Sequence, residues 1–308
     1  MSLSRLGDSM LHDIILDKNV YPDRILFHHN SGDDDMARVW YGAGLWAAGE
    51  KPQIFYFNRN HIDNDLIDTG HEFYREGILK FPFDNCMFVI DNAIDDSQIG
   101  QSYLTKYMRE AYLFRKIASL PDGKLKEDIS KCKFPENFKA EYAFMQFTEM
   151  CIEGKIRAIP NVNFIFLADS KHHGQYGSVA SFCIFPAERI TTEDAALLKQ
   201  NAIFSIGTIV GALMLLNTKY AKKTEHKIDE KLNKNRIKNG KEPLCNYITV
   251  GLAPNKHFDS GSGTHARPKA HWRRGHIRRL EDKVVAVQPC LVNWDGDPNE
   301  IQKKIYVV

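Results

Sequence analysis

Between Ala202 and Leu216 the chain runs 15 residues without a charge, with Ser205 and Thr208 as its only hydroxyl-bearing positions. A helix apolar on every side cannot lie at a surface, so other elements have to enclose it. A membrane span needs about 20 such residues, which leaves a buried core helix as the expected form. Thr191-Thr192-Glu193-Asp194 resembles a capping box at its start, and the helix is expected to reach Asn217. Gly207 and Gly211 inside it predict close packing against a neighbouring element. A length of 308 residues with 43% hydrophobic and 26% charged content is sufficient to build a core around it.

The remaining pattern mixes helices and strands. Helices are expected over Met36–Ala48, Asn64–Leu79 and the aromatic-rich Tyr103–Leu120. Strands are expected over Cys86–Ile90, Tyr247–Leu252, Val284–Val287 and Lys304–Val308, with Asn163–Ala168 and Ser178–Phe185 forming a hairpin. The class is α/β (mixed α+β): a helical and short-stranded body over residues 1–216, then a basic, β-rich C-terminal subdomain over 217–308. Cys86, Cys132, Cys151, Cys183, Cys245 and Cys290 lack the spacing of a zinc knuckle or redox pair and read as free thiols. Met1–Ile15 has no continuous apolar region, so a secretory signal is not expected and the chain reads as cytoplasmic, without a membrane partner.

A net charge of +2 conceals an asymmetry. Asn217–Lys283 holds 17 Lys and Arg against 7 Asp and Glu, whereas the rest holds 24 against 32. The extreme is His265–Arg279 (HARPKAHWRRGHIRR), with three histidines, five arginines, a lysine and a tryptophan. Unpaired buried guanidinium is too costly for a core, so this segment belongs at a surface facing a polyanion or an acidic protein. Arg267, Lys269, Arg273, Arg274, Arg278 and Arg279 are the expected phosphate donors, and Trp272 offers a face for a base. The bland alternative is a solvated loop whose cations find partners in the acid-rich first half. A second basic set, Lys231, Lys234, Arg236, Lys238 and Lys241, follows helical spacing and suits a phosphate backbone.

The histidines allow chemistry as well as binding. His271 and His276 are candidate catalytic residues for metal-independent RNA cleavage, in which imidazoles move protons while arginine stabilises the phosphorane. The spacing of His265, His271 and His276, even with Cys290, fits no zinc template, so no metal is expected. Asp63, Asp65, Asp68, Asp91, Asp95 and Asp96 could hold Mg²⁺, but helix starts and turns account for them better. His28-His29 and His172-His173 read as surface residues. With no P-loop, dinucleotide fingerprint or nucleophile elbow, no cofactor is expected.

Two elements carry a family resemblance. Asn233 to Tyr247 resembles an Asn-Lys-x-Arg-x-x-x-Gly-Lys-x-Pro-Leu-x-x-Tyr element, and Gly263-Thr264-His265-Ala266-Arg267-Pro268 through His271–Leu280 resembles the one that follows it. Val287-Gln288-Pro289-Cys290-Leu291-Val292-Asn293 matches the ending. Both elements are similar to those of a broad family of phage, prophage and plasmid proteins that includes a type V-A anti-CRISPR protein. The resemblance covers about the last 90 residues. It implies a mobile-element regulator in the cytoplasm of a bacterial host, lowering expression of its target through nucleic acid, RNA in the first place, or through the translation machinery. The alternative it leaves is a protein-interaction module acting directly on a host or CRISPR protein.

Overall fold

The structure is a computed structural model that describes residues 51–92, 108–122, 140–152, 155–168, 192–240, 243–253 and 270–294, with Lys126 and Ser130 as isolated positions. It is a mixed α+β fold. Strand β1 (Gln53–Asn58) carries four consecutive buried residues, Ile54 to Phe57, and so needs cover on both faces. Helix α1 (Asn64–Arg75) follows it and leads to β2 (Asn85–Asn92), which pairs parallel to β1 with Phe55 opposite Phe88. Strands β3 (Met108–Lys116), β4 (Ala140–Ile152) and β5 (Lys155–Ala168) extend this side as an antiparallel meander. Helix α2 (Thr192–Asn217) then leads to β6 (Ala221–His226), helix α3 (Glu230–Lys238) and β7 (Tyr247–Leu252). Strand β7 pairs parallel to the free side of β1, with β6 antiparallel beyond it. The seven-stranded order is β5-β4-β3-β2-β1-β7-β6. The chain beyond residue 217 thus completes the sheet that the first strands begin.

Helix α1 starts where Asp63 Oδ1 accepts the Leu66 amide at 3.0 Å. It stops at Glu76, followed by Gly77 at φ 71°, a left-handed position that glycine takes without strain. Leu66, Phe73 and Tyr74 face the core. The uncharged run lies in α2, where Ile206, Ile209, Leu213 and Leu215 are fully buried. The two helices meet through small residues, as Gly207 and Gly211 predict. A Cβ on Gly211 would come within 2.5 Å of Ile62 Cγ2, and one on Gly70 within 2.7 Å of the Val210 carbonyl oxygen. Among the described residues no helix is long and apolar enough to cross a membrane.

Aromatic rings fill the space between sheet and helices. Phe81 packs on Tyr142 and Phe114 at centroid separations of 4.4 and 4.8 Å, and Phe88 meets Phe57 and Phe114 edge-on. A buried polar chain crosses this layer. Ser205 Oγ on α2 donates to Gln146 Oε1 at 2.8 Å, Gln146 Nε2 donates to Glu110 Oε1 at 3.1 Å, and Tyr112 OH donates to Glu110 Oε2 at 2.8 Å. Burial pushes the Tyr112 hydroxyl well above its ordinary pKa and draws the His61 imidazole down to about 4, so both are neutral.

One expected element is wrong in kind. Within Tyr103–Leu120, residues 108–116 are strand β3, not helix. Tyr112 and Phe114 face the helices, and Ala111 and Leu113 are fully buried on the other side. Burial on both faces removes the alternation that marks a strand, and a continuous apolar run then resembles a helix. The helix expected at Met36–Ala48, the strand at Lys304–Val308 and the partner strand at Ser178–Phe185 lie outside the described residues; β5 pairs with β4.

Candidate nucleic-acid interface

The basic segment folds into a hairpin broken in the middle of both arms. Strands β8 (His271–Arg273) and β9 (His276–Arg279) form the outgoing arm, and β10 (Val284–Val287) and β11 (Cys290–Val292) the return. Strand β9 pairs with β10, β8 pairs with β11, and the Leu280 amide donates to the Lys283 carbonyl across the tip at 2.8 Å. Gly275 and Pro289 mark the breaks, and there the hairpin lies down on α1.

Its inward face is built for attachment. Trp272, opposite Leu291, has 0% exposure and meets the Tyr220 ring edge-on at 5.7 Å. Trp294 is also buried and donates from Nε1 to the Ala253 carbonyl at 3.1 Å. Gly275 stacks its backbone on α1, with its amide donating to Thr69 Oγ1 at 2.9 Å. A Cβ there would meet Val287 O at 2.6 Å, Pro289 N at 2.8 Å and Thr69 Cγ2 at 2.8 Å, so only glycine allows this approach. Asp68, Glu72 and Glu76, four residues apart along α1, present one acidic stripe to the hairpin. Asp68 pairs with Arg274 at 3.3 Å, Glu72 Oε1 accepts the Ile277 amide at 3.0 Å, and Glu76 pairs with Arg279.

The outward face differs. Alternation along the strands turns Arg273, His276 and Arg278 away from α1, and all three are exposed. Among the described residues, no acid pairs with Arg273 or Arg278. This ridge is held on a hairpin whose backbone is fastened at several points.

Helix α3 holds the second set. Asp229 caps it by accepting the Lys231 amide at 2.7 Å, and Glu230 lies 3.9 Å from Lys234. Lys231, Lys234 and Lys238 are exposed, and Arg236 is half-buried. The helix contributes nothing fully buried. Instead Asn233 clips it to the next segment: Nδ2 donates to the Leu244 carbonyl at 3.0 Å, and Oδ1 accepts the Leu244 amide at 2.7 Å. Asn246 Oδ1 similarly accepts the Ile228 amide at 2.8 Å. Just before α3, edge strand β6 exposes Lys222 and Lys223, charges that discourage pairing with another strand.

Three expectations change. Trp272 has no exposed face, so it cannot stack on a base; it anchors the hairpin in the core. Arg274 and Arg279 have intramolecular acid partners, which the bland reading anticipated. His271 and His276 occupy successive strands five residues apart along an extended course, roughly 16 Å at full extension, rather than converging on one phosphodiester. Arg267, Lys269 and Lys241 lie outside the described residues. The described residues contain no group of three or more His, Cys, Asp or Glu able to hold a metal ion. The acidic stripe on α1 escaped notice in the sequence, although its four-residue spacing was there to be read.

No curated protein and no solved structure matches the chain. A family model does, over residues 169–281, a span that takes in α2, β6, α3, β7 and the outgoing arm of the hairpin. That model is AcrVA2-like, the anti-CRISPR type V subtype A2 family, and it is what this segment of the chain is similar to.

Proposed function

We propose that this is an anti-CRISPR-like protein of a mobile element that works by binding, and that the outward hairpin ridge contacts the phosphate backbone of nucleic acid, RNA in the first place. The observation that carries the reading is the sorting of the arginines. Two are neutralised against α1, while Arg273 and Arg278, with His276 between them, point to solvent without an acid partner among the described residues. Lys231, Lys234 and Lys238 on α3 and Lys222 and Lys223 on β6 extend the same charge. Arg267, Lys269, Arg236 and Lys241 remain proposed additions to this surface. Binding without cleavage is the reading we favour, because His271 and His276 stand on successive strands of an extended arm.

The test is fluorescence anisotropy of a labelled single-stranded RNA titrated with the full chain. The two ridge arginines predict an affinity loss of about sevenfold between about 50 and 200 mM salt, steeper if the lysines also engage. Absence of binding at the lower salt, or binding indifferent to salt, overturns the proposal. A second reading, direct attachment to a protein of a type V CRISPR system, is favoured by one observation: large apolar side chains exposed beside these cations.

A further inference from the structure

Seven large apolar side chains are exposed among the described residues: Ile78, Phe83, Leu232, Ile237, Leu280, Val284 and Val287. The topology sends six of them to one end of the sheet. Helix α1 leaves the finish of β1 and returns to the start of β2, so Ile78 and Phe83, in the connection that follows it, lie where the parallel strands begin. The Phe83 ring stacks 6.1 Å from Phe55 at that end. The Arg279–Glu76 ion pair pins the hairpin tip there, bringing Leu280 and Val284 to the same place. Helix α3 joins the end of β6 to the start of β7, whose first residue pairs with Ile54 near the start of β1. Lys51 Nζ, just before β1, donates to the Pro243 carbonyl just before β7, which confirms the shared level.

Isolated exposed apolar residues are ordinary, but their collection at one end marks a contact surface. Leu232 and Ile237 are 47% and 59% exposed on a helix that buries nothing of its own. A nine-residue helix is marginal alone, yet this one is clipped in place through Asn233 and Asn246. Exposed cations surround the apolar positions: Arg75, Lys80, Lys231, Lys238, Arg278 and Lys283. Glu76 is engaged with Arg279 and Asp84 with Lys116 at 3.3 Å, so these six cations outnumber the exposed acids Asp229, Glu230, Glu281 and Asp282 at this end.

We infer that this end of the molecule docks an acidic, amphipathic segment of a partner protein, with leucine-like anchors seated among Leu280, Val284, Ile78 and the α3 pair. Charge complementarity selects the partner, since a cationic rim rejects a basic segment and attracts an acidic one. Five of the six exposed apolar residues are aliphatic, whereas bases bound by protein seek aromatic faces. Arg278, Lys231 and Lys238 serve both surfaces, but the apolar anchors belong to this one alone, so substituting the anchors tests it apart from RNA binding.

The experiment uses the full chain and three designed helical peptides of about 20 residues: one with a leucine stripe and glutamates elsewhere, one with lysines replacing the glutamates, and one with serines replacing the leucines. Anisotropy is expected to show the Glu/Leu peptide binding at least tenfold more tightly than the other two. Leu280→Ser with Val284→Ser should weaken it by a similar factor, with the melting temperature and RNA affinity unchanged. Failure of the Glu/Leu peptide to bind, equal binding of the Lys/Leu peptide, or indifference to the double substitution overturns the inference. It is likewise overturned if the double variant loses RNA binding, which gives the surface to nucleic acid, or if sedimentation shows a dimer that the substitutions dissolve, which gives it to a second copy.

Discussion

The hairpin and α3 are both basic, both belong to the segments that resemble the family elements, and both look like surface in composition. They attach to the molecule in opposite ways. The hairpin sends Trp272 into the core, lays Gly275 on α1 and neutralises two arginines. Helix α3 rests outside, tied mainly by asparagine side chains to neighbouring backbone. In the hairpin, the proposed binding residues and the anchoring residues alternate along one strand; in α3 the proposed binding residues lie on the helix and the anchors in its clips. A given charge therefore means different things in the two places, and substitutions should expose that.

The largest effect belongs to Trp272. Replacing this fully buried indole with alanine should cost about 3–5 kcal/mol, read as a fall in the urea midpoint of unfolding. A loss below about 1 kcal/mol would mean that the ring does not anchor the hairpin. Gly275→Val comes next. Its side chain would collide with backbone atoms of the return arm as well as with Thr69, which cannot yield as a flexible side chain does. About 1–3 kcal/mol is expected, with hydrogen exchange accelerated along β8 and β9 before the rest of the sheet.

Much of this contrast could be read from the residues, and part could not. The boundary near 217 is real in charge, but β7 lies beside β1 in the same sheet, so charge and fold do not divide the chain at the same point. The run Ala202–Leu216 announced α2, and Gly207 and Gly211 announced its tight packing, because local composition settles both. Strand β7 and the β10 strand of the hairpin were visible through period and propensity. Strand β3 was misread because it is buried on both faces, and β6 was missed because AKKTEH, at an edge, has no apolar face to show. The role of Trp272 was not legible for a related reason. Its neighbours are cations, and only pairing with β11 reveals that its side of the strand faces inward.

For α3 the prediction concerns local rather than global stability. Asn233→Ala removes both hydrogen bonds to Leu244 and should loosen the helix by about 1–2 kcal/mol. Because α3 buries nothing, the urea midpoint should scarcely move. Amide exchange within Glu230–Lys238 should rise severalfold, while the hairpin amides keep their protection. Equal loss of protection in both regions would show that α3 and the hairpin behave as one unit, and the contrast between them would collapse.

The finest distinction lies within the hairpin, between arginines one residue apart. Arg273→Ala and Arg274→Ala remove the same group from neighbouring positions, as do Arg278→Ala and Arg279→Ala. The inward pair engages Asp68 and Glu76 at partly exposed positions, where an ion pair contributes about 0–1 kcal/mol. Their removal should lower stability by no more than that and leave RNA affinity nearly unaltered. Losing either outward arginine should leave stability within about 0.5 kcal/mol. Each should also remove one phosphate contact, lowering the slope of log affinity against log salt by about 0.7 for a single strand. The comparison is internal: the four variants carry the same net charge, so a nonspecific effect of charge must treat them alike. A salt slope that falls equally for all four would assign the effect to overall charge. A slope that falls only for the outward two would assign it to the ridge.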